Sequence, residues 1–227
     1  MGRLLAIGLC AWPATAAAWP VDWIHDVEPG KEKFVRLPGL DWFEVEDPKV
    51  VRLEWLEESG ELLLTGLKPG RTVVLLGAHG KVAAWRLRVG GKPVTDDAAY
   101  TAAQKACPDF KPTPLEDIKL TVTVQAEPCR KALAALFLTD AFEARHLELT
   151  FASDVLQAQL KSVEEGLRLA AGRKATARYV GAGLVLEGQV TAQEHRRVLW
   201  EVLRRTLGRF ALDDRLEEPT PPDGGAN

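Results

Sequence analysis

The sequence predicts an α+β protein: a small N-terminal β-sandwich or barrel-like domain, then a β-α-β unit and an α-β-β-α-β module. Three observations predict it. Residues 19–91 alternate apolar and polar side chains in short runs closed by turn signals such as Pro38-Gly39, Asp47-Pro48, Ser59-Gly60 and Lys68-Pro69-Gly70. Residues 119–152 read as a strand, a helix and a strand. Residues 153–217 show helical spacing, two runs of strand formers around Gly181-Ala182-Gly183, and helical spacing again behind a capping box.

Taken in order, the chain opens with MGRLLAIGLCAWPATAAAWP. Arg3 gives a positive start, Leu4 to Thr15 an apolar run, and Ala16, Ala17 and Ala18 a small-residue cleavage site. Residues 1–18 are therefore expected to be a secretory signal peptide that is removed. The run is shorter than the ~20 residues a bilayer span needs. Cys10 follows Leu9, where lipid attachment wants a small residue, so no lipoprotein is expected. The mature chain is expected in a periplasm. A net charge of -3 with 46% apolar residues is an ordinary globular balance, with no pull toward nucleic acid. Cleavage leaves Cys107 and Cys129, and two cysteines in an exported chain are expected to pair. Closing that loop stabilises by about 3 kcal/mol in the chain-entropy description.

In the first module, strands are expected at Phe34–Leu37, Trp42–Val45, Val50–Leu56, Glu61–Gly66, Val73–Gly77 and Val82–Val89. Val73–Gly77 has no polar alternation, which predicts burial on both faces. Alternation resumes in Val82–Val89, which is expected to keep one face at the surface. Gly66 and Gly70 flank a turn and are expected to adopt backbone that only glycine reaches cheaply. Trp42, Trp55 and Trp85 are expected as core or interface anchors, and Trp19 and Trp23 as contacts near the new N-terminus.

Residues 92–118 are a helix and a Pro-rich linker. Thr95 is expected as the helix cap, with Asp96 and Asp97 in the first turn, and Pro108, Pro112 and Pro114 extend the connector. The β-α-β unit at 119–152 has strands at Leu120–Val124 and Leu147–Phe151 around a helix over Cys129–Phe142. In 153–217, Ser153-Asp154 is expected to cap a helix whose apolar positions are Leu156, Leu160, Val163, Leu167 and Ala170. A hairpin follows, with strands at Lys174–Val180 and Leu184–Val190. Thr191-x-x-Glu194 then opens a helix with Leu199, Val202, Leu203 and Leu207 inward, ended by Gly208, and Phe210–Leu216 is the last strand. Residues 218–227, rich in Pro and Gly, are expected to be disordered.

The ordered set Pro29-Gly30, Val45-Glu46-Asp47-Pro48-Lys49-Val50-Val51, Gly60-Glu61-Leu62-Leu63-Leu64-Thr65-Gly66 and Lys68-Pro69-Gly70-Arg71-Thr72 resembles the N-terminal domain of pilus and flagellar secretins of the Tad (Flp) type. Leu184-Val185-Leu186-Glu187-Gly188-Gln189-Val190, with the capped helix, Gly208 and the terminal strand, resembles a BON domain. Tad-type secretins carry the two in this order. The sequence stops at Asn227 without a secretin's ring-forming domain, so it is not expected to form the outer-membrane channel by itself. The resemblance implies a non-enzymatic, cofactor-free accessory or assembly component whose partners are an outer-membrane secretin or pilus-assembly proteins. It leaves room for self-association into a homo-oligomer. An unrelated immunoglobulin-like domain is the plainer alternative for the first module. The alternative function is a BON-type envelope protein that binds a phospholipid surface.

No catalytic or metal-binding constellation is expected. His25, His79, His146 and His195 are scattered, and neither G-x-S-x-G nor H-E-x-x-H occurs. Gly181-Ala182-Gly183 leads into a strand and offers no helix N-terminus to a phosphate. Arg196, Arg197, Arg204, Arg205 and Arg209 make the last helix basic, which suits an acidic partner or phospholipid headgroups. The candidate interaction residues are Trp42, Trp55, Trp85, Arg204 and Arg205.

Overall fold

Seven strands build the first module: β1 (Trp23–Val27), β2 (Glu32–Arg36), β3 (Leu40–Val45), β4 (Val51–Leu56), β5 (Glu61–Gly66), β6 (Gly70–Ala78) and β7 (Lys81–Val89). The computed structural model describes residues 20–94, 96–113, 119–140, 142–181, 183–207 and 211–219. The expected signal peptide, Trp19, the Thr95 cap, Pro114, Gly208, Phe210 and the tail beyond residue 219 lie outside these. One sheet has the order β1-β7-β6-β3 and the other β2-β5-β4. Val51, Leu53, Leu62 and Leu64 of the smaller sheet meet Val74, Leu76, Trp85, Leu87 and Val89 of the larger in one core. That is a sandwich, with alternate residues of each strand turned inward.

β1 is absent from the strands expected from sequence. Its WIHDV run puts His and Asp side by side, so no clear alternation marks it. Long-range pairing forms it instead. β1 runs parallel to β7, with Trp23 opposite Trp85 and Val27 opposite Val89. A distant loop covers its other edge: Ile24 N–H donates to Glu143 Oε1 at 3.2 Å, and Ala144 N–H donates to the Val21 carbonyl at 2.8 Å.

β6 is buried from Thr72 to Gly77. Val74 and Leu76 enter the sandwich core, while Val73 and Leu75 enter a second core on the opposite face. The expected surface face of β7 is corrected by the same feature. Ala84 joins the second core, and Arg86 and Arg88 are only 4% and 9% exposed. The sheet is covered on both faces, so the polar positions of β7 are interior. A second correction concerns Gly66 and Gly70, which have no positive φ. They are constrained by space: a Cβ on Gly66 would lie 2.5 Å from the Glu28 carbonyl oxygen, and one on Gly70 would lie 3.1 Å from Val50.

The middle module holds α1 (Asp97–Ala106), β8 (Lys111–Thr113), β9 (Lys119–Val124), α2 (Glu127–Phe137), a 3₁₀ turn (Ala144–His146) and β10 (Leu147–Phe151). β9 and β10 are parallel, with α2 as the crossover, and β8 pairs antiparallel to β9. Asp96 caps α1, accepting from the N–H groups of Ala98 and Ala99 at 2.9 and 3.1 Å. α2 begins earlier and ends earlier than its sequence pattern suggests, with Pro128 in its first turn. Cys107 and Cys129 form a disulfide across a separation of 22 residues, joining the end of α1 to α2. Ala99, Ala103, Leu120, Val122, Leu133 and Phe137 fill the core beneath it.

The last module is α3 (Ser153–Ala171), β11 (Ala175–Val180), β12 (Gly183–Gln189), α4 (Ala192–Arg205) and β13 (Ala211–Glu217). Its sheet order is β11-β12-β13, with β13 parallel to β12. The Thr191/Glu194 capping box is formed in full. α3, by contrast, has Ala152 as its N-cap with no side-chain cap, so the expected Ser153-Asp154 cap is not formed and both residues lie in the first turn. α4 buries Val198, Leu199, Trp200, Val202 and Leu203, more than one stripe of the helix. The reason is that α4 belongs to a core made jointly by Val73, Leu75 and Ala84 of the sandwich and Leu167, Leu184 and Leu186 of the last module. The molecule is thus a mixed α+β protein with four sheets and four α-helices among the described residues.

Candidate functional site

The second face of the β1-β7-β6-β3 sheet carries the chemistry of the molecule in two halves. One half is a charged seam against the middle module. Arg71 lies on β6 and Arg86 and Arg88 on β7, with Arg71 directly opposite Arg88. They converge on Asp140, just beyond α2, whose side chain is 2% exposed. Arg71 pairs with one carboxylate oxygen of Asp140, and Arg88 reaches the other at 3.2 Å. Arg86 donates to the carbonyls of Phe137 at 2.9 Å and Thr139 at 2.6 Å, and Arg71 donates to that of Leu138 at 3.3 Å. Arg88 also forms a two-pronged pair with Asp26 of β1.

The charges here are three guanidinium groups and two carboxylates. The carbonyls at the C-terminus of α2, the negative end of its dipole, supply the remaining compensation. Burial alone would push the Asp140 carboxyl up. The Val94 N–H at 2.8 Å and the guanidinium groups of Arg71 and Arg86 outweigh it and hold the carboxyl below its ordinary value. Asp140 N–H returns a bond to the Val94 carbonyl at 2.9 Å, which fixes the linker as well. Burial, with Arg71 nearby, pulls Arg86 down from its ordinary value while Asp140 pulls it up. Nothing in the sequence joins Asp140 to arginines on β6 and β7. The alternation of Arg86 and Arg88 along β7 reads as a surface face instead.

The other half of the face is the seam between β3 and α4. Trp42 lies across β6 at Gly77, its cross-strand partner, and a Cβ there would fall 2.1 Å from the indole nitrogen. Gly77 is what lets the indole lie flat. Arg196 of α4 stacks over Trp42 at 5.8 Å. Arg204 stacks over Trp200 at 5.3 Å and sits 3.4 Å from Glu201 and 3.7 Å from Glu46 of the sandwich. Arg205 binds Glu201 at 2.9 Å and approaches Glu165 at 3.9 Å. Both arginines singled out from sequence are therefore engaged with carboxylates of the same chain. Of the tryptophans, Trp85 is buried, with His25 edge-on to it at 4.6 Å. Trp55 packs part-buried on the sandwich core, and Trp42 does so on the core shared with α4.

Gln159 is a polar residue that helical spacing does not flag. It is 2% exposed, donates to the Tyr179 hydroxyl at 2.8 Å and accepts from Leu207 N–H at 2.8 Å. It ties α3 to β11 and to the residues that follow α4. No group of three or more His, Cys, Asp or Glu side chains suited to a metal ion occurs among the described residues.

No family model matches the chain, and no curated protein matches it. Among solved structures, CdsD, a structural protein of the type III secretion system of Chlamydia trachomatis, is 14% identical, over 60% of this chain and 69% of that one, with a TM-score of 0.30. The C-terminal domain of CdsD gives 15% identity over 59% and 71%, with a TM-score of 0.29. Domains 4 and 5 of the S-layer protein SbsC are 12% identical over 30% of this chain, which spans 47% of that fragment, with a TM-score of 0.25. Likeness at these scores is local and does not amount to a shared overall fold.

Proposed function

We propose that the chain is a non-enzymatic component of a pilus or secretion apparatus of the Tad type. It works in the periplasm after cleavage behind Ala18 and recognises an outer-membrane secretin or its assembly partners. The observation that carries this reading is the ordered sequence set through Thr65-Gly66-Leu67-Lys68-Pro69-Gly70, which falls on β5, the following turn and the start of β6. The export signal supports it. So does the architecture: a sandwich clamped to two α+β modules offers a broad surface and several free sheet edges, the materials of recognition. The phospholipid reading relied on a basic last helix, and Arg204 and Arg205 there are already paired with Glu201 and Glu46 or Glu165.

The test is capture from chemically cross-linked cell envelopes with the tagged full-length chain, together with deletion of its gene. The expected result is recovery of a secretin or pilus-assembly protein and loss of pili or secretion in the deletion strain. Recovery of neither, with normal pili and binding of the pure protein to anionic vesicles, would replace this reading with the phospholipid one.

A further inference from the structure

We infer that β1 is a strap opened by proton uptake at His25: in mild acid the imidazolium formed there drives the strand off β7. β1 is five residues long, ends its sheet, and pairs with no described strand other than β7. Its register divides its side chains. His25 and Val27 turn to the sandwich core with Leu87 and Val89, and Ile24 turns to the core shared with α4. The imidazole lies edge-on to Trp85 at 4.6 Å, and its Nε2 is buried with no hydrogen-bond partner among the described residues. A neutral ring tolerates that position, because it packs as an aromatic and can leave one nitrogen bare. An imidazolium carries an N–H on both nitrogens, and the one at Nε2 finds no acceptor there. A buried charged donor left without an acceptor disfavours the closed strand.

The charged groups around the ring do not remove that penalty. Lys33 of β2 donates to the Asp26 carbonyl at 3.4 Å and sets a like charge against a protonated His25, while Glu32 and Arg36 of the same strand are exposed. Asp26, the next residue of β1, has both carboxylate oxygens on Arg88. Glu143, just before the 3₁₀ turn that holds His146, gives one oxygen to Ile24 N–H at 3.2 Å. β7 brings Trp85 and Leu87 to this face and keeps Arg86 and Arg88 on the reverse. The one carboxylate of β5, Glu61, sits at its far end opposite Arg36. Burial first, then Lys33, hold the imidazole below its ordinary value against the pulls of Glu143 and Asp26. Opening gives the ring to water, where it takes a proton below about pH 6.5. What loosens is a tie between modules. Ile24 lets go of Glu143, the Val21 carbonyl lets go of Ala144 N–H, and Arg88 gives up Asp26 and keeps Asp140. The edge of β7 from Trp85 to Val89 is bared at the same time.

This inference takes nothing from the proposed function, and its test uses the full chain alone. Amide hydrogen exchange is measured at about pH 7 and about pH 5.5 and corrected for the intrinsic effect of pH, and the His25 ring is titrated by NMR. The expected result is β1 amides that exchange faster than those of β6 at both pH values. Their opening constant should rise by at least about threefold at the lower pH, with the ring titrating below its ordinary value. His25→Phe, which keeps a ring on Trp85, should abolish that rise and leave β1 protected at neutral pH. Lys33→Gln, which keeps a donor and removes the charge, should raise the His25 titration and shrink the rise. β1 amides that exchange at the rate of β6 amides would overturn the inference, because the strand would then open only with the whole fold. So would β1 opening that is the same at both pH values, an equal rise in His25→Phe, or a His25 ring that titrates at or above its ordinary value. Should His25→Phe fail to fold, the ring titration and Lys33→Gln still decide between these outcomes.

Discussion

A carboxylate with 2% of its side chain exposed is tolerable at Asp140 because three arginines and the Val94 N–H surround it. Removing it leaves Arg86 buried without a counter-charge. Asp140→Ala should therefore cost about 3–5 kcal/mol in urea unfolding, with Asp140→Asn costing less because the amide can still accept a hydrogen bond. The pH dependence has a defined sign. The Asp140 carboxyl sits below its ordinary value when folded, so its contribution is complete above about pH 4 and is lost as pH falls through the folded value. His25 acts higher on the scale. Burial, with Lys33 nearby, lowers it when folded, against weaker pulls from Glu143 and Asp26. The unfolded chain then takes the proton first, and stability falls as pH drops below about 6.5. His25→Phe, which keeps a ring against Trp85, should flatten that part of a stability–pH curve. Gly77→Ala should lift Trp42 off β6, shift its fluorescence and cost about 1–3 kcal/mol.

At the scale of elements, the disulfide holds the end of α1 on α2, while Arg71 and Arg86 hold the other end of α2 on the sandwich. Cys129→Ser should lower stability by about 2–4 kcal/mol, and hydrogen exchange should quicken in α1 before α2. The elements legible in the sequence were those with local signals. β5 had its turn chemistry, α4 its capping box, and β9 and β10 their β-branched alternation around a single helix. What escaped depends on distant partners. β1 is a strand because β7 and the Glu143 loop pair with it, and α2 stops at Phe137 where arginines from positions 71 and 86 take over its last carbonyls. The alternating Arg86 and Arg88 read as a surface because a binary pattern records polarity and not what covers it. The same limit applies to Arg204 and Arg205, since their carboxylate partners include Glu46 and Glu165, far away in sequence.

At the scale of the whole molecule, the β1-β7-β6-β3 sheet serves two cores, so the sandwich is not a free-standing unit. Residues 19–91 alone would expose Val73, Leu75 and Ala84 and leave Arg86 and Arg88 without Asp140. That fragment should be poorly soluble or self-associate in sedimentation, and recognition experiments belong on the full chain. Val73, Leu75 and Ala84 of the sandwich share one core with Leu199, Val202 and Leu203 of α4, and this joint packing is the central claim. Its most direct test is urea unfolding followed by fluorotryptophan NMR. Trp85 reports the sandwich core and Trp200 the core shared with α4. Both resonances should disappear at one urea midpoint, as a single cooperative unit requires. A folded Trp85 signal persisting after the Trp200 signal has gone would contradict it.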